Sequence, residues 1–165
     1  MIKIVEANPN HIPIIQALAT EIWPITFDKI LSQDQISYMM EMMYSDKALT
    51  DQMTSHGHRF LLAQEDDCPV GYLSFEINYK SDRKTKIHKI YLLPKTQGRG
   101  LGKKLFNQVK QIALQHDNHT LSLNVNRDNT AVHFYKKIGF EIVGEQDIAI
   151  GDGFLMEDFI MEQPI

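Results

Sequence analysis

The sequence predicts an α/β (α+β) domain: a mixed, mostly antiparallel central sheet of six to seven strands flanked by about four helices. Three observations predict it. Short alternating or buried-type apolar runs recur along the whole chain, as strands do. Segments with a helical apolar period lie between some of them. Glycine, proline and asparagine punctuate the junctions, and no repeat, linker or low-complexity tract interrupts the pattern. At 165 residues the chain can bury a real core and is most simply one domain spanning 1–165.

"IKIVEA", Ile2 to Ala7, alternates apolar and polar residues until Asn8 and Pro9 break it. From His11 to Trp23 the positions Ile14, Ile15, Leu18, Ala19 and Ile22 follow a helical period, and Pro24 is expected to end the helix. In "SQDQISYMMEMMYS", Ser32 followed by Gln35 fits a capping box, with Ile36, Met39, Met40 and Met43 on one face. That stripe reads as an adaptable binding surface or as a core-facing or groove-lining helix. "RFLLAQEDDCPVGYLSFEIN" reads as two strands joined at Glu65 to Pro69, and "YKSDRK" as a solvated charged loop. "TKIHKIYLL" is a third strand, Thr85 to Leu93, stopped by Pro94. A long helix follows, with Leu101, Leu105, Val109, Ile112 and Ala113 on one face and an end near His116. "TLSLNV", Thr120 to Val125, is a buried-type strand, and "NTAVHFYKKIG" a short helix ending at Gly139. "FEIVGEQDIAI" and "FLMEDFIME" close the chain as two strands turned by Gly151 to Gly153.

Composition excludes several functions. A net charge of −4 leaves no basic excess to neutralise nucleic-acid phosphates, and is compatible with a cationic substrate. The one cysteine, Cys68, rules out an internal disulfide framework and a Cys-based zinc site. Of the seven histidines only His56-Gly-His58 hints at a metal, and with no third ligand in view it reads as solvated loop, so no metal is expected. There is no G-x-S-x-G elbow for a hydrolase. No apolar signal core and no run of about 18 apolar residues is present, so a soluble cytoplasmic protein without a membrane partner is expected.

"LPKTQGRGLGKK", Leu93 to Lys104, places three glycines at a helix entry. A helix N-terminus leaves four amides unpaired and carries about half a positive charge, and glycines let a bulky anion reach those amides. The Walker pattern fails, because Gly102 is followed by Lys103 and Lys104 with no hydroxyl and no glycine at the required spacing. The dinucleotide pattern meets Lys103 or Leu105 where it needs glycine.

What fits is Gln97-x-x-Gly100-x-Gly102, which resembles the pyrophosphate loop of the GCN5-related N-acetyltransferases, the GNAT family. Downstream, Asn129, Ala131, Phe134–Tyr135 and Gly139–Phe140 resemble that family's second signature, in its order and at about its separation. The element order matches the family fold along nearly the whole chain. The family commonly has Asn three residues before the Ala; here Asp128 stands there and Asn129 one residue closer, so which of the two meets the cofactor stays open. "HKIYLLPKTQGRGLG", "FYKKIGF", "IGDGFLMEDFIME" and "ITFDKILS" resemble the bacterial spermidine/spermine branch, which often has Glu where His88 stands here.

The resemblance implies acetyl-CoA as co-substrate and a small-molecule amine as acceptor, with a homodimer left open. It implies that amides from Gly98 to Lys103, spanning Arg99, Gly100, Leu101 and Gly102, hold the pyrophosphate with Gln97 and Asn129 nearby. Arg99 and Lys103 either add charge there or are simply solvated. It implies a bulged strand at Ile90–Tyr91–Leu92 whose backbone faces the thioester carbonyl. Tyr135 takes the family's general-acid place, a phenol that protonates the leaving thiolate. The base is open among His88, Glu21, Glu76 and water. Spermidine or spermine are the first acceptor candidates, with Glu21, Asp28, Glu41 and Asp152 as acidic groups on the flanking regions. Two other readings remain: a non-catalytic acyl-CoA-binding regulatory module, and an acetyltransferase of a protein or peptide amine.

Overall fold

The computed structural model describes residues 1–165. Seven strands form one sheet in the order β1-β2-β3-β4-β5-β7-β6: β1 (Ile2–Glu6), β2 (Arg59–Glu65), β3 (Cys68–Glu76), β4 (Lys84–Leu92), β5 (Thr120–Asn126), β6 (Glu141–Gly151) and β7 (Phe154–Pro164). Every pairing is antiparallel except β4 with β5. Five helices complete the fold: α1 (Ile12–Phe27), α2 (Gln33–Tyr44), α3 (Asp46–Thr54), α4 (Leu101–Gln115) and α5 (Ala131–Lys137). None is long and apolar enough to cross a membrane.

The strand pattern is as the alternation predicts; the helices differ in three places. α1 continues through Pro24 to Phe27. A proline inside a helix costs about 3 kcal/mol. Trp23 and Phe27, both buried with ring centroids 4.6 Å apart, offset it, since burying one large apolar side chain contributes about 1.5–3 kcal/mol. α3 is an added helix. Ser45 caps it by accepting from the Ala48 amide at 3.1 Å, but it buries only Leu49, so no apolar period announces it. α4 starts at Leu101 with Gly100 as its N-cap, three residues beyond the first glycine.

Ser32 caps α2 through the Gln35 amide at 3.1 Å, whereas the Gln35 side chain reaches across to the Leu155 carbonyl at 2.7 Å. The capping box is therefore half formed, and its second half ties α2 to β7 instead. Of the methionine stripe, Met39 is buried, and Met39 and Met43, but not Met40, line the cleft described below.

Strand alternation sends neighbouring side chains to opposite faces. Tyr91 packs on Trp23 and Phe27 of α1, whereas Leu92 lies against α4, near enough that a Cβ on Gly102 would meet it at 3.7 Å. β4 thus lies between α1–α2 on one face and α4–α5 on the other.

A candidate active-site cleft

Two irregularities in β4 open the sheet. Its parallel ladder with β5 runs only from Lys84↔Thr120 to Ile87↔Leu123, after which the strands part. On the other edge, Ser74 pairs with Lys89 and Phe75 with Ile87, leaving His88 as an extra, bulged residue. The bulge therefore sits where the split begins. Beyond it, His88 to Leu92 has no partner on the β5 side, so main-chain groups facing that way open into a cavity of about 1450 Å³.

On the α4 side the cavity meets the glycine loop. Gly98 and Gly100 hold φ of +79° and +81°, and a Cβ built on either would meet nothing within 4 Å. The amides of Gly98 through Lys103 donate to no backbone carbonyl, and no side chain caps the helix. A run of free amides at a helix N-terminus, with open space where side chains would stand, suits the pyrophosphate of a CoA thioester. The Leu101 side chain is in the core, so only its amide is available. Gln97 Nε2 reaches the Leu92 carbonyl at 3.4 Å and links the loop to the strand end. Arg99 is engaged elsewhere, in a forked pair with Glu65 at 2.6 and 2.8 Å, and does not line the cavity; Lys103 does.

Asn129 also lines the cavity, and its Oδ1 accepts from the Ala131 amide at 2.9 Å at the start of α5. Asp128 is exposed and does not. Tyr135 lies between Phe106 and Phe140, and its hydroxyl, without a protein partner, reaches the cleft. Burial raises its pKa above that of a free phenol, so it is protonated at neutral pH. Ile90, Tyr91 and Leu92 line the split, but the bulge expected there falls at His88 instead, and the Tyr91 ring itself packs among Trp23, Phe27 and Tyr72.

Of the candidate bases, Glu21 is exposed and lies outside the cleft. His88 lines it, with Nε2 3.0 Å from Glu76 Oε1. Burial, then His58 and the Lys89 and Lys86 ammoniums, push its pKa down to about 2, so the imidazole is neutral at pH 7. Burial also raises the Glu76 carboxyl above its ordinary range. The third partner for His58, absent from the sequence pattern, comes from the fold: His58, Glu76 and His88 bring ligand atoms within 4.8 Å of one another. Yet the two rings stack at 3.9 Å with 9° between their planes. Their lone pairs lie in two near-parallel planes, which disfavours a shared tetrahedral ion; His88 instead hydrogen-bonds Glu76, and His58 Nδ1 is buried without a partner.

Sequence reasoning missed two buried lysines on this strand. Lys89, 5% exposed, donates to Gln52 Oε1 at 2.8 Å; Lys86, 9% exposed, donates to Asn124 Oδ1. Asn124 in turn donates to Asp158 at 3.3 Å. Burial lowers the Lys89 pKa to about 7 and the Lys86 pKa to about 8. The one available signal was the pair of lysines inside an otherwise apolar strand, "TKIHKIYLL". None of Asp28, Glu41 or Asp152 lines the cleft.

The acetyltransferase (GNAT) domain family matches residues 27–160. An N-acetyltransferase of Lactobacillus delbrueckii subsp. lactis, itself uncharacterized, is 25% identical and covers 99% of this chain and 98% of its own length. The L-amino acid N-acyltransferase MnaT of Escherichia coli is 28% identical over 56% of this chain and 55% of its own. Among solved structures, the PaiA N-acetyltransferase of Thermoplasma acidophilum in complex with coenzyme A superposes with a TM-score of 0.83 at 25% identity, covering 100% of this chain and 99% of that one.

Proposed function

The chain belongs to the GNAT acetyltransferase family and is an acetyl-CoA-dependent N-acetyltransferase; from that premise we propose that it acetylates the primary amine of a small molecule held in the cleft between α1–α2 and the split of β4 from β5. The observation that carries this reading is the meeting, at one opening in the sheet, of the free amides of Gly98 to Lys103, the unpaired edge of β4 and the Tyr135 hydroxyl.

Bound acetyl-CoA supplies the thioester carbonyl that the amine attacks. Gly98 to Lys103 anchor its pyrophosphate through main-chain amides, and Asn129 lies beside the same wall. The backbone of Ile90 to Leu92 offers hydrogen bonds where charge develops on the carbonyl oxygen. Tyr135, protonated at neutral pH, donates to the departing sulfur. A side chain held neutral down to about pH 2 stores a proton poorly, so His88 orients the incoming amine as a hydrogen-bond acceptor and the proton leaves through cleft water.

The polyamine expectation needs several acidic groups converging out of water. Glu21, Asp28, Glu41 and Asp152 lie outside the cleft, and Asp158 is its one acidic lining residue. The relative named for amino-acid acceptors supports a small amine more broadly. The test is a thiol-release assay comparing kcat/KM for spermidine, an aminoglycoside, an amino acid and a Lys-containing peptide. Turnover of one of the first three above the peptide is the expected result; preference for the peptide overturns the small-molecule reading.

A further inference from the structure

The bulge at His88 turns an unusual set of side chains to one face of the sheet. Lys89 sits on the face of Tyr91, toward α1–α3, and packs over the rings of Tyr44 and Phe60 at 5.6 Å each. No carboxylate meets it. Its ammonium has the Gln52 carbonyl and two aromatic faces, and its neighbour across the ladder, Ser74, has a buried hydroxyl without a partner. Lys86 lies 5.5 Å over Tyr79, donates to Asn124 and has the Asp158 and Glu162 carboxylates as charge partners, so Lys89 is the lysine left without one.

The charges facing the whole cleft are Lys80, Lys86, Lys89, Lys103, Lys110 and Lys137 against the single acid Asp158, in a chain whose net charge is −4. Lys103 and Lys110 belong to α4 and Lys137 to α5, the wall that faces the CoA phosphates. Lys86 and Lys89 lie on β4 and Lys80 in the turn before it, so these three do not belong to that wall. Burying an ammonium without a counter-charge is destabilising, and the drop of the Lys89 pKa to about 7 reports that cost. An arriving anion removes it. A polyamine would add charges of the same sign.

We infer that the acceptor amine carries an anionic group, in the simplest case a carboxylate, that docks against the Lys89 ammonium on the floor of the cleft. Trp23, Phe27, Leu31, Met39 and Met43 give the α1–α2 wall of the cleft an apolar stretch, so the molecule that fits has an amine, a carboxylate and an apolar body, as an apolar amino acid does. The identification of that molecule as the acceptor rests on the acetyl-transfer reading above; the anion site itself does not.

The test uses acid and amide pairs that differ only in the negative charge: leucine and leucinamide, methionine and methioninamide, phenylalanine and phenylalaninamide, with spermidine alongside. Thiol release by the full chain is expected to give at least a tenfold higher kcat/KM for the acid in one pair or more. Lys89→Met is expected to bring the acid-to-amide ratio close to one, and Lys89→Arg to restore part of it. Two controls show that Lys89→Met is folded: a melting temperature no lower than the wild type's, and an unchanged acetyl-CoA affinity. Equal use of acid and amide in every pair, a preference for spermidine, or a ratio that Lys89→Met leaves unmoved overturns the inference. A second readout needs no turnover: calorimetric binding of N-acetylleucine against N-acetylleucinamide to the CoA-saturated protein. A Lys89-dependent preference for the acid with no thiol release keeps the anion site and overturns the acetyl-transfer reading. No such preference with active thiol release does the reverse.

Discussion

On the α4 side of the cleft the groups facing the cavity are mostly main chain: the amides of Gly98 to Lys103 and the open edge of β4. On the α1–α2 side they are side chains from distant segments, with Lys86, His88 and Lys89 on β4 meeting Gln52 of α3, Glu76 of β3 and Asn124 of β5. The difference teaches where specificity can change. A main-chain cradle binds the same phosphates whatever neighbouring side chains do, so it suits a fixed co-substrate. A floor of buried side chains can be re-charged by single substitutions, so it suits a variable acceptor.

The largest effect is expected where a side chain intrudes on the main-chain side. Tyr135→Phe removes a proton donor needed only as the thiolate leaves, so kcat should fall about 10²- to 10⁴-fold with acetyl-CoA affinity unchanged. Steady-state kinetics with calorimetry separates the two, and an unaltered kcat makes Tyr135 a packing residue beside Phe106 and Phe140.

A smaller change tests the cradle itself. Gly100→Val places a branched side chain where φ is +81° and the space is open, which costs about 1–2 kcal/mol in backbone strain and covers the amides. Acetyl-CoA should bind on the order of 100-fold more weakly, as about 3 kcal/mol of lost contacts and strain implies. Lys103→Ala, by contrast, removes one exposed charge and should cost no more than about fivefold. If the lysine variant proves the weaker binder in titration, the cradle is held by side chains and the contrast between the walls collapses.

The smallest effect probes the side-chain wall through acidity. His58 and His88 have folded pKa values near 4 and 2, pushed below the ordinary 6.5 chiefly by burial. The unfolded chain therefore takes up protons first as pH falls. Their contribution to stability is complete above about pH 6.5 and is lost progressively below it, by on the order of 1 kcal/mol per pH unit for each histidine. Urea melts at pH 7 and pH 5 should show that loss in the wild type and a flatter response in a His58→Gln, His88→Gln double variant. An identical pH response in both proteins places the acid sensitivity elsewhere.

Local pattern was enough for whatever depends on neighbours in sequence. Alternating or buried-type apolar runs marked every strand, and Gln97, Gly100 and Gly102 marked a helix entry with free amides because glycine there has a local conformational reason. It misjudged Pro24, where a local penalty was outweighed by the burial of Trp23 and Phe27, and it passed over α3, whose one buried residue makes no period. At Arg99 the partner is Glu65, 34 residues away, and no spacing rule reaches it.

The sequence by itself determined the seven strands, every helix but α3, the family and the glycine-bearing helix entry, since these follow from periodicity, turn chemistry and motif spacing along the chain. Only the tertiary structure decided the parting of β4 from β5 at Ile87, the place of Asn129 rather than Asp128 in the cleft lining, and the burial of Lys89 without a counter-charge. The physical reason is that burial and electrostatic environment are set by what packs around a group. For Lys89 those neighbours are Tyr44, Gln52 and Phe60, which come together only when α2, α3 and β2 close over the sheet.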